Sequence, residues 1–126
     1  MGQEPFLFIP RNRSVEGEED DLVAKIPIDI NTKDELLQVL AKELKFPDYF
    51  GMNWDALSEC LRDLDWLKSR RILIHHEGLP KLSTEALKTY LDILRQASYG
   101  WEKDDHHQLV ISFSESVREK IKKLLQ

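Results

Sequence analysis

Cysteine is nearly missing from this chain. Cys60 stands alone in 126 residues, so no disulfide can form within it, and a reducing, cytoplasmic setting is expected. Long apolar runs are missing too. Phe6–Ile9 spans only 4 residues, too short for the core of a secretion signal and far below the roughly 20 residues of a membrane span. There is no excess of positive charge: 18 Lys and Arg stand against 23 Asp and Glu, for a net charge of −5. Nucleic acid and anionic membrane are therefore not expected as partners, since phosphate contacts need clustered cations. An acidic balance suits a basic partner, whose approach it steers. Nor is there a Gly-rich phosphate loop, a Ser-His-Asp or Cys-His arrangement, or a two-cysteine metal signature. No catalytic motif is present and no cofactor is expected.

What remains is an ordinary globular composition, 41% hydrophobic and 33% charged. The length suits one domain with a real core. That core is expected over about residues 22–113, with an N-terminal extension, 1–21, and a C-terminal helix, 114–126.

Phe6–Ile9 reads as a strand stopped by Pro10, and the acidic run from Glu16 to Asp21 as a solvated loop. Residues 22–30 read as a second strand, with Pro27 marking an edge or an end. A hairpin across the acidic loop would pair the two. Thr32 and Glu35 form a capping box before a helical stripe of Leu36, Leu37, Val39, Leu40 and Leu44, which stops before Pro47. Asn53 is the expected N-cap of a second helix running to about Lys68. Residues 71–75 form a strand. Ser83 or Thr84 caps a long helix over 85–98, with Gly100 at its end. Residues 109–113 form a last strand, and Ser114 opens a short basic helix. Strand, two helices, strand, helix, strand is the order of an α/β parallel sheet with helical crossovers.

The loop and helix over residues 46–66 carry the most functional information. Tyr49 and Phe50 end a loop broken by Pro47 and Gly51. In the helix, Leu57, Cys60, Leu61 and Leu64 form the apolar side and Asp55, Glu59 and Arg62 a polar stripe. Carboxylates at helical spacing beside paired aromatics suit a cationic surface. Each residue also has a plainer reading. Asp55 sits where the helix dipole favours an anion, and Glu59 is spaced to neighbour Asp55 and Arg62. Asn53 is a cap first, Gly51 is expected to supply a positive φ, and Phe50 is expected to pack inward while Tyr49 faces out. Cys60 reads as a core residue.

Glu43-Leu44, Pro47, Tyr49, Gly51, Asn53, Asp55-Ala56-Leu57 and Glu59-Cys60-Leu61, with Leu36 and Leu40 in the helix before them, resemble the barstar family of small intracellular ribonuclease inhibitors. The resemblance implies a three-stranded parallel sheet packed with helices, to which this chain adds a possible N-terminal strand and a short C-terminal helix. It also implies that the second helix and the loop before it plug a ribonuclease active site, with carboxylates standing in for RNA phosphates. Carried over by position, the contact set is Tyr49, Asp55, Ser58, Glu59 and Gln96, with Asn53, Arg62 and Trp66 beside them. Ser58 stands where the family has a tryptophan, Gln96 where it has an acid, and two extra residues precede Trp66. A monomer that binds a basic ribonuclease or nuclease-type toxin is the leading expectation. The rival is a barstar-fold interaction module without nuclease inhibition, and a third reading is a metal protein or hydrolase using the His75-His76 and His106-His107 pairs.

Overall fold

The computed structural model describes residues 5–10, 13, 15–102 and 106–126. The N-terminal extension is thus described in part, and residues 1–4, 11, 12 and 14 lie outside. In chain order the elements are β1 (Phe6–Ile9), β2 (Leu22–Ile26), α1 (Lys33–Glu43), α2 (Trp54–Asp63), β3 (Arg71–His76), α3 (Thr84–Glu102), β4 (Gln108–Ser114) and α4 (Arg118–Leu124), with a 3-10 turn at Glu115–Val117 before α4.

The sheet runs β1-β4-β3-β2 and every neighbouring pair is parallel. Parallel neighbours need long crossovers, supplied by α1 and α2 between β2 and β3 and by α3 between β3 and β4. The expected hairpin does not form. β1 pairs with β4 and β2 with β3, so the two N-terminal strands occupy opposite edges of the sheet. Local proximity in sequence lost to the burial available on each edge: Phe6 packs edge-to-face on Phe113 of β4 at 5.2 Å, and Ala24 and Ile26 of β2 enter the core. β2 ends at Ile26 rather than residue 30, and Pro27 lies just past its end.

In strand β3, Ile72 and Ile74 enter the core on one face, while Leu73 is buried on the other, outside the core cluster. Leu36, Leu37 and Leu40 of α1, Leu57 and Leu61 of α2, and Leu87, Tyr90, Leu91 and Leu94 of α3 complete the core. The capping box is present: the Thr32 hydroxyl accepts from the Glu35 amide at 3.1 Å, and the Glu35 carboxylate accepts from the Thr32 hydroxyl and from the Asn31 amide. Ser83 caps α3 by accepting from the Ala86 amide at 3.1 Å. Gly100 does not end α3, which continues to Glu102 because Trp101 extends the buried stripe by two turns beyond Leu94. The acidic run is exposed from Glu16 to Asp20, whereas Asp21 is paired with Arg71 at the start of β3. That guanidinium holds the Asp21 carboxyl below the usual carboxylate range. Among the described residues, no helix is long and apolar enough to cross a membrane.

Candidate protein-binding surface

The surface begins where α1 stops. The Phe46 amide donates to the Ala41 carbonyl at 2.9 Å and the Lys45 amide to the Lys42 carbonyl at 3.4 Å, a Schellman ending that puts Lys45 at φ 56°. Phe46 then turns inward, 4.8 Å from the Phe50 ring and 5.9 Å from Trp66. This aromatic anchor and the Phe50 amide bond to the Pro47 carbonyl (3.0 Å) fold the loop so that Tyr49 is left 74% exposed. Phe50 is half-buried and Tyr49 faces outward, as their order in the sequence suggests.

Gly51 does not have a positive φ; among the described residues no glycine does, and the left-handed position belongs to Met52 at φ 53°. What Gly51 supplies is room. A Cβ there would lie 3.2 Å from Asn53 Nδ2, which donates to the Gly51 carbonyl at 3.1 Å. So held, Asn53 Oδ1 accepts from the Ala56 amide at 2.8 Å and caps α2. Next to the cap, Trp54 stacks on Tyr90 of α3 at 6.1 Å, with the Lys33 ammonium 5.5 Å from its ring.

Helix α2 ends at Asp63, short of the expected Lys68, because Leu64 takes the left-handed conformation at φ 50° and buries its side chain completely. Two indoles brace the ends of α2 and α1. Trp101 Nε1–H donates to the Leu61 carbonyl at 2.7 Å, satisfying one of the helix's free C-terminal acceptors. Trp66 Nε1–H donates to the Leu44 carbonyl at 3.0 Å. Trp66 is thus half-buried with its polar atom committed inside the fold. Among the described residues, the non-glycine residues in the left-handed region are Lys45, Met52 and Leu64, and all of them flank this loop and helix. Each costs about 1–2 kcal/mol, and such strain gathers at functional sites.

On the outer face of α2, Asp55, Glu59, Arg62 and Asp63 are exposed and Ser58 is half-buried; Arg62 Nε–H donates to the Ser58 carbonyl at 3.3 Å. Asp55, Glu59 and Asp63 follow each other at one-turn intervals. Among the described residues none of the three enters an ion pair. Tyr49, Phe50, Ala56, Glu59, Cys60 and Asp63 line a shallow groove of about 260 Å³ between loop and helix. Asp55 lies outside it, at the N-terminal rim. Gln96 is exposed on α3, the helix packed against α2. Asp63 was not among the expected contact residues, although its spacing from Glu59 repeats that of Glu59 from Asp55. Trp101 was missed because Gly100 was read as the end of α3.

Cys60 is 5% exposed, and burial, helped by the Asp63 and Glu59 carboxylates, pushes its thiol pKa up, which keeps it an inert core residue. The two histidine pairs do not meet. In the parallel register Arg71 faces Gln108 and His76 faces Phe113, so His75-His76 and His106-His107 lie at opposite ends of the sheet. His76 instead donates from Nδ1 to the Ser112 carbonyl (3.0 Å) and accepts at Nε2 from the Tyr90 hydroxyl (2.6 Å). Among the described residues no three His, Cys, Asp or Glu side chains gather as a metal site.

No curated protein matches the chain. Residues 26–113, well over half of its length, match the family model of barstar, the barnase inhibitor. This stretch runs from the last residue of β2 to the buried Phe113 of β4 and contains the whole loop and α2. With the parallel sheet and capped acidic helix it defines, the chain belongs to the barstar family.

Proposed function

We propose that this protein is a non-catalytic, monomeric inhibitor that binds a basic ribonuclease or related nuclease toxin and closes its active site with α2. The observation that carries this reading is the acidic face of a helix fixed at both ends, with Tyr49 exposed beside it. A nuclease concentrates cations where phosphate binds, and Asp55 and Glu59 offer carboxylates in their place. A hydrogen bond between charged groups contributes roughly 1.5–3 kcal/mol. The Asn53 cap and the Trp101 bond order the helix beforehand, so little entropy is lost on docking. Tyr49 supplies a rigid aromatic contact, and Ser58 and Arg62 line the same face. Asn53 contributes by ordering α2, and Trp66 by bracing the loop while offering the edge of its ring.

Ser58 and Gln96 favour a different target from that of the best-known family member. With no tryptophan at 58 and no acid at 96, specificity moves toward the α2 carboxylates. The same two residues motivate the alternative of an interaction module with a non-nuclease partner. Affinity capture from native lysate, eluted with a salt gradient and read by mass spectrometry, separates the two. A basic nuclease released by salt, inhibited by the protein and lost with Asp55→Ala or Glu59→Ala, is the expected outcome. A captured partner indifferent to both substitutions and to salt would falsify the acidic-helix mechanism.

A further inference from the structure

Away from α2, the free edge of the sheet is apolar and lies next to the most basic segment of the chain. β1 is an edge strand of sequence Phe-Leu-Phe-Ile, paired only with β4. Alternate residues of such a strand direct their backbone N–H and C=O groups away from the sheet. Among the described residues, no backbone group takes them up. Leu7 is 55% exposed on one face of the strand. On the other, Phe6 and Phe8 with Ile121 and Leu125 line an apolar groove of about 280 Å³, and Lys122 stands at its rim. Arg118 lies across the Phe8 ring at 4.6 Å, and its Nε is a buried donor with no acceptor. Lys120 and Lys123 add two more exposed cations to α4.

We propose that β1 and the groove beneath α4 form a second docking surface, which takes an extended peptide segment of a partner protein whose groove-facing positions carry both apolar and acidic side chains. The segment adds to the sheet as a fifth strand. Its backbone pairs with the outer edge of β1, and on its groove-facing side, every second residue, an apolar side chain enters the Phe6–Phe8 groove while carboxylates two residues away meet Arg118 and Lys122. Charge complementarity selects this occupant. A second copy of the chain pairing β1 to β1 about a twofold axis normal to the sheet would bring two basic α4 helices side by side, and like charges across an interface oppose docking. None of the lining residues belongs to α2 or its loop, so this surface remains available to a protein whose acidic helix is engaged.

The test titrates the full chain with two labelled peptides that carry valine and glutamate, or valine and lysine, at every second position and threonine in between, following backbone amide NMR signals. The glutamate peptide is expected to shift Phe6–Ile9 and α4 signals saturably below about 1 mM and to slow hydrogen exchange of the outward β1 amides. Lys122→Glu/Lys123→Glu, two exposed positions that leave the core intact, is expected to weaken binding by about fivefold or more. No saturable shift in β1, or equal response to the lysine peptide, overturns the proposal. Self-association of the free chain through β1 assigns the edge to a second copy and overturns it as well.

Discussion

At the scale of single residues, identical backbone geometry has opposite consequences according to burial. Lys45 and Leu64 both adopt φ near the left-handed minimum, but Lys45 is exposed and Leu64 fully buried. Lys45→Gly relieves the clash of Cβ with the carbonyl and is expected to raise stability by about 0.5 kcal/mol, seen as a higher urea midpoint at unchanged slope. Leu64→Gly relieves the same strain but removes a core side chain, and a loss of about 2–4 kcal/mol is expected. Gly100 gives a third case. It sits inside α3, where an added Cβ meets nothing within 4 Å, so Gly100→Ala is expected to stabilise by about 0.5–1 kcal/mol. His76 sets the response to acid. Burial pushes its pKa down to about 3, and its proximity to His75 acts in the same direction. The unfolded imidazole takes up a proton below about 6.5. Stability is therefore fully present above that pH and falls as pH drops from about 6.5 toward 3, with a slope approaching 1.4 kcal/mol per pH unit from this group. Urea midpoints collected across that window check the sign. Tyr90→Phe leaves His76 Nε2 without its donor at neutral pH, at an expected cost of about 1–3 kcal/mol.

At the scale of elements, α2 shows a conflict between local stability and its proposed task. Asp55, Glu59 and Asp63 are like charges at one-turn spacing, each pair unfavourable by about 0.2–0.5 kcal/mol, and Asp63 also sits at the end of the helix where the dipole disfavours an anion. Glu59→Gln and Asp63→Asn are accordingly expected to stabilise the free protein by a few tenths of a kcal/mol while weakening capture of a basic nuclease. Thermal unfolding and nuclease inhibition, measured on the same variants, should move in opposite directions; parallel movement would mean the row serves the fold. Asn53→Ala should instead lower stability by about 1 kcal/mol and impair inhibition through the frayed helix start. Both caps, Thr32 and Asn53, were legible in the sequence because capping is a local matter of side chain and backbone within four residues. The end of α2 was not, because Leu64 stops the helix by burying itself, and burial depends on neighbours distant in the chain.

At the scale of the whole molecule, the acidic balance and the exposed α2 face together predict that association with the proposed basic partner is sensitive to salt. The association rate is expected to fall steeply as ionic strength rises and the screening length shortens to about 8 Å near 0.15 M. Stopped-flow mixing at several salt concentrations reads this directly, and a flat profile would remove electrostatic steering from the mechanism. The sequence by itself determined the element order, the parallel α/β architecture, the capped acidic helix and the outward Tyr49, because periodicity, caps and proline breaks act over a few residues. Only the tertiary structure decided that β1 and β2 part to opposite edges, that Met52 rather than Gly51 takes the left-handed turn, and that the histidine pairs lie at opposite ends of the sheet. It alone decided that Trp66 and Trp101 brace carbonyls at the ends of α1 and α2. Each of these outcomes joins residues far apart in the chain, and their choice among competing partners was made by burial and hydrogen-bond satisfaction, which no local pattern encodes.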